Sequence, residues 1–139
     1  MKKTTDELQN EIRKADSIED YLHSNQDEMI DNTVAVVLKQ IIEEKKLKKA
    51  DVIHKSGLNE IYAYQIFAGK KEPSRDKVVA LFFGMELNID EIQTALKHAN
   101  YSQLYVRDQR DSIILFCVEQ KKSVIECNNM LYEYGFEIL

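Results

Sequence analysis

From residue 34 to residue 85 the apolar side chains recur at helical spacing, and Gly57, Gly69 and Pro73 punctuate them. Val34, Val37, Leu38, Ile41 and Ile42 keep the i, i+3, i+4 pattern of a helix with one buried face. This pattern predicts a helix from Asn32 to about Lys45 and Lys46, whose charges suit the negative end of a helix dipole. A short helix over Lys49–Lys55 follows, with Val52 and Ile53 inward and Gly57 as its left-handed stop. Asn59 can cap a third helix running to Ala68, which Gly69 ends, and "KKEPS" forms a turn. Ser74 then caps a helix burying Val78, Val79, Leu81, Phe82 and Met85, and Asn88 with Glu91 makes a capping box for a helix reaching about Ala99. With four glycines and one proline among 139 residues, the chain has few turn-makers for a β-rich fold. The fold class is all-α.

The flanks are helical too. Residues 5–23 carry Leu8, Ile12, Ala15, Ile18 and Tyr21 toward one side, and "SNQDEM" breaks the pattern. "NYSQLYVRDQRD" is a polar connector, followed by helices over Asp111–Glu119 and Val124–Tyr134. The latter has Ser123 and Glu126 as its capping pair and Gly135 as its stop. This gives three regions: an N-terminal helical appendage at 1–30, a central domain at 31–100 and a C-terminal helical extension at 101–139.

Several functional classes find no support. No apolar run approaches the 18 residues of a membrane span, and "MKKTTDELQNEI" lacks the apolar stretch of a secretory signal. Cys117 and Cys127 have no neighbouring Cys or His at ligand spacing, so they read as reduced cytosolic thiols in a helical core. His23, His54 and His98 fall on different helices. No metal-ligand cluster, catalytic triad, nucleotide loop or paired-carboxylate pocket is visible, so neither an enzyme nor a cofactor or small-molecule site is indicated. "RDQRD" reads as an interhelical salt-bridge corner rather than as catalytic machinery.

Charge is distributed unevenly. Residues 1–31 carry 4 basic and 9 acidic side chains, residues 32–85 carry 10 and 6, and residues 86–139 carry 5 and 9. A basic middle between acidic flanks is compatible with a polyanionic partner and equally with a solvated lysine face.

The string "KKADVIHKSGLNEIYAYQIFAGKKEPSRDKVVALFFGM" resembles the helix-turn-helix of the Cro/CI repressor-like (XRE) family, and the resemblance extends over about residues 32–99. Leu58, Ala63 and Ile66 match the positions that hold the two helices together, and "GKKEPS" matches the turn into the next helix. "YQIFAGKKEPSRDK", with "RDQRDSIILF" and "NNMLYEYGF" downstream, further resembles a firmicute-type subgroup of bacterial regulators with a helical C-terminal extension. The resemblance implies a lambda-repressor-like five-helix domain with extra N-terminal and C-terminal helices. It also implies a cytoplasmic regulator that binds double-stranded DNA, with a homodimer as one option, and a recognition helix at about residues 59–68.

In that reading Asn59, Glu60, Ile61, Tyr64 and Gln65 occupy exposed recognition positions. Gln65 can pair with an adenine edge and Ile61 can touch a thymine methyl. Asn59, Tyr64 and the helix N-terminus can meet phosphate. Lys48 and Lys49 before the recognition helix, and Lys70, Lys71 and Arg75 beyond it, supply backbone contacts. Glu60 can accept from a cytosine amino group or repel phosphate. That acidic residue and the acidic flanks leave a second reading open, a protein-interaction adaptor that keeps the fold without binding DNA. Tyr62, Tyr64 and Phe67 are more simply packing residues than a base-stacking platform.

Overall fold

The computed structural model describes residues 2–29 and 34–139, so the expected helix start at Asn32 lies outside the described residues. The described residues form nine α-helices, one short 3₁₀ turn and no strand. None of these helices is long and apolar enough to cross a membrane. The chain divides into two compact units, Met1–Asp31 and Asn32–Leu139.

In the N-terminal unit the helix expected over residues 5–23 is two helices, α1 (Thr5–Lys14) and α2 (Ile18–Ser24). The break follows from local chemistry. Ser17 takes an extended conformation and its hydroxyl accepts from the Asp20 amide, so a new N-cap interrupts the run. A polar hub holds the unit together. Asn25 is buried; its side-chain amide donates to Glu11 and to the Tyr21 carbonyl, and its oxygen accepts from Lys3. Lys3 also pairs with Glu11 at 2.6 Å. Of the apolar stripe read from the sequence, Leu8 and Tyr21 are half-buried, whereas Ile12, Ala15 and Ile18 are exposed.

The second unit contains α3 (Val34–Lys45), α4 (Lys49–Ser56), α5 (Glu60–Phe67), α6 (Arg75–Gly84), α7 (Ile89–His98), α8 (Gln109–Glu119) and α9 (Val124–Glu133). Its middle is α6, in which every residue from Val78 to Gly84 is buried. A helix apolar all round must be surrounded, and this one is. Gly84 explains how closely α4 can approach it. A Cβ at that position would overlap the Val52 carbonyl oxygen and press on the Ser56 amide at 3.2 Å.

Helices α8 and α9 are not appended to a finished domain. Ile114, Leu115, Cys117, Val118, Val124, Cys127 and Leu131 belong to the same buried cluster as Leu38, Val52, Ile66 and Phe82. Residues 101–139, expected as a separate extension, therefore share one core with residues 34–100. The connector is strapped down as well: Gln93 exchanges two hydrogen bonds with the Leu104 backbone, and the Tyr101 hydroxyl donates to the Pro73 carbonyl. Both cysteines are buried and free, and burial raises the pKa of each thiol.

Capping follows the sequence closely. Asn59 and Ser74 accept from backbone amides of their first turns, and Asn88/Glu91 and Ser123/Glu126 form complete capping boxes. Asp108, expected in the connector, caps α8, which starts at Gln109 rather than Asp111. Gly57, Gly69 and Gly135 take the left-handed conformation expected of stops. The remaining turns differ from a glycine-based expectation, because Lys46, Glu86, Asn100 and Lys121 hold the same left-handed conformation. At all four the next amide closes the helix in the same way, Leu47 on Ile42, Leu87 on Phe82, Tyr101 on Leu96 and Lys122 on Cys117.

Candidate nucleic-acid interface

The residues assigned above to DNA contact lie at the start of α4, on α5 and its N-cap, in the turn after α5 and at the first residue of α6. Helix α5 is two-faced. Ala63 and Ile66 are fully buried, Leu58 is half-buried, and Glu60, Ile61 and Tyr64 point outward. Ile61 is 72% exposed, as Val106 and Ile125 are to nearly the same degree, and is an apolar contact available to a partner. Gln65 is half-buried on the flank of that face. Tyr62 and Phe67 are half-buried and pack against the core, as their packing role predicts, whereas Tyr64 is exposed.

Asn59 uses only part of its side chain for the helix. Its Oδ1 accepts from the Tyr62 amide at 3.0 Å, and its amide protons have no partner among the described residues. The first turn of α5 thus ends in a neutral donor beside the free backbone amides.

Four lysines flank α5. Lys48 and Lys49 open α4, and the Lys49 ammonium sits 5.3 Å from the Phe67 ring centroid, which ties the start of α4 to the end of α5. Lys70 and Lys71 follow Gly69, and the Lys70 amide closes α5 by donating to the Gln65 carbonyl at 2.9 Å. All four are exposed, and none forms an ion pair among the described residues. Lys45 and Lys55, by contrast, are paired with Glu91 and Glu86. The cations without an ion pair among the described residues therefore include Lys48, Lys49, Lys70 and Lys71, which flank α5 in sequence.

Arg75 is differently engaged from the other assigned residues. Its guanidinium bonds Asp111 at 2.6 Å and also reaches the Ser102 and Gln103 carbonyls. Asp111 is buried and accepts in addition from the Tyr105 amide. Next to this pair, Arg110 grips Asp76 through two parallel bonds of 2.9 Å. The Asp76 carboxylate, hydrogen-bonded to Arg110, raises the pKa of its guanidinium further. Together with Pro73, which is buried and receives the Tyr101 hydroxyl, these ties fix the turn that carries Lys70 and Lys71.

The interhelical salt-bridge corner expected at "RDQRD" is present, with Arg110 paired to Asp76 and Asp111 to Arg75. The sequence alone points neither to these partners nor to the Pro73–Tyr101 bond. The adjacent opposite charges at 75–76 and 110–111 were the available signal. No group of three or more His, Cys, Asp or Glu side chains suited to a metal ion occurs among the described residues. Comparison with protein families, curated proteins and solved structures returns no match for this chain.

Proposed function

We propose that the chain is a sequence-specific double-stranded DNA-binding regulator of transcription, of the Cro/CI repressor-like helix-turn-helix type. In this reading α3 to α7 are the lambda-repressor-like five-helix domain, α4 supports and α5 enters the major groove. The observation that carries it is the outer face of α5, where Ile61 and Tyr64 are exposed, together with Lys48, Lys49, Lys70 and Lys71, which form no ion pair among the described residues. Long-range attraction by Lys48, Lys49, Lys70 and Lys71 would bring the helix to the duplex, and short-range contacts by Asn59, Ile61 and Gln65 would discriminate among bases. Arg75 acts in this account as the tie that holds the basic turn still, since its donors are occupied within the chain. A palindromic operator would be met by two copies, and a bacterial regulator of this type would act in the cytoplasm.

A second reading, a protein-interaction adaptor, draws on Glu60. It is exposed and unpaired on the same face as Ile61, and an anion beside an isoleucine also suits a protein partner. Selection of bound sequences from a random duplex pool separates the two. The regulator enriches a defined site, and Gln65→Ala costs about 1–3 kcal/mol on that site while relaxing the base choice at one position. An adaptor enriches nothing.

A further inference from the structure

The C-terminal extension approaches the start of the recognition helix. Gly57 forms the turn between α4 and α5, and a Cβ placed there would lie 3.9 Å from Val124 Cγ1. Val124 is the first residue of α9 and is buried, so the first turn of α9 is packed on the turn that delivers the N-terminus of α5. Immediately before it stand Lys121 and Lys122, the only lysines after Lys97 in the chain.

These two lysines sit on a fixed turn. The Lys121 amide donates to the Val118 carbonyl at 3.0 Å and the Lys122 amide to the Cys117 carbonyl at 2.9 Å, which closes α8. Ser123 then opens α9 within one residue. Lys121 is exposed, Lys122 is half-exposed, and neither makes an ion pair among the described residues. The Ser123 amide, which donates to Glu126 Oε1 at 3.0 Å, and after it Lys122 are among the groups that hold the Glu126 pKa down.

We propose that Lys121 and Lys122 contact phosphates of the same duplex that α5 reads, so that the C-terminal extension forms part of the DNA-binding surface. This rests on the DNA-binding reading above. When the N-terminus of a recognition helix enters the major groove, the turn before it lies beside the strand that borders the groove. An element packed on that turn is brought to the same strand, and a lysine side chain extends several ångströms further. Such contacts carry charge and no base preference. Residues 48–49, 70–71 and 121–122 then form three separate lysine pairs around one helix.

The test uses the full chain with Lys121→Ala and Lys122→Ala together, titrated with a selected and an unselected duplex over a range of salt. The expected result is weaker binding to both duplexes alike, an unchanged base preference, and a salt slope shallower by about two units. A Lys121→Arg/Lys122→Arg variant should restore the parental slope. If the parent binds duplex and the alanine variant binds with the same affinity and slope, the proposal is overturned while the DNA-binding reading stands. An arginine variant as weak as the alanine variant also overturns it, since charge is then not what matters. A parent that binds no duplex at low salt removes the reading and this proposal together.

Discussion

The guanidinium of Arg75 lies 2.6 Å from the carboxylate of Asp111, joining the first turn of α6 to the first turn of α8. One residue along, the signs are exchanged: Arg110 holds Asp76 by two bonds of 2.9 Å. The two pairs form a clamp between residues 34–100 and the C-terminal helices. Asp111 is 4% exposed, so removing one partner leaves a charge without compensation in a place where water cannot replace it.

Arg75→Ala and Asp111→Ala should therefore each destabilise the fold by about 3 kcal/mol. The double variant should lose much less than the sum of the two, because the residues act on each other. Lys70→Ala with Lys71→Ala should leave the unfolding midpoint within about 0.5 kcal/mol of the parent, since both side chains are exposed and unpaired. Denaturant titration of the four proteins checks this. An Arg75→Ala protein as stable as the parent would remove the clamp from the account.

Gly84 offers a packing prediction independent of charge. Gly84→Ala forces a methyl group against the backbone of α4 at Val52 and Ser56. Backbone cannot rotate away as a side chain can, so the helices must separate, at a cost of about 3 kcal/mol. Helix propensity alone would make the same change favourable by about 1 kcal/mol. The sign of the measured change in stability decides between the two effects.

Most of this fold could be read in the sequence, because its helices carry strong local signals. The Asn and Ser caps precede apolar runs, and the boundaries of α5 to α7 fall within a residue or two of where those caps put them; α4, which has no side-chain cap, ends at the Gly57 stop. The N-terminal helix was misjudged because Ser17 can cap as well as continue a helix, and only its backbone conformation shows which it does. The join between residues 34–100 and α8–α9 was missed for a different reason. A buried side chain such as Ile114 or Leu131 shows from periodicity that it faces inward, but not toward which helix. For the candidate site, Asn59, Glu60, Ile61 and Tyr64 are exposed as read from the sequence and Gln65 is half-buried, while which lysines are paired does not show in the sequence. It could not show that Arg75 is engaged by Asp111, since that bond spans 36 positions.

Two capping-box carboxylates set an acid limit. The Lys45 ammonium, and then the Asn88 amide, hold Glu91 below its ordinary value of 4.5. The Ser123 amide, with its hydroxyl, does the same for Glu126. A carboxyl whose folded pKa is depressed contributes stability that is complete above its unfolded pKa and is lost as pH falls through the folded one. Stability should therefore decline from about pH 5 toward pH 3. Glu91→Gln with Glu126→Gln should be less stable than the parent near neutrality and show a flatter decline over that range. Equal slopes for the two proteins, measured by chemical unfolding at each pH, would contradict the assignment.

The central claim is that α5 and its flanking lysines bind duplex DNA, and the dependence of binding on salt tests it most directly. Binding of the full chain to duplex should tighten steeply as salt is lowered, with log K linear in log salt at a slope of about −0.9 for each phosphate neutralised. Lys70→Ala with Lys71→Ala should make that slope shallower by about two units on every sequence. Glu60→Gln should tighten binding to all sequences if its charge only repels phosphate, or lower discrimination at one base pair if it accepts from cytosine. A parent that fails to bind duplex at low salt, or that binds with no salt dependence, would contradict the account.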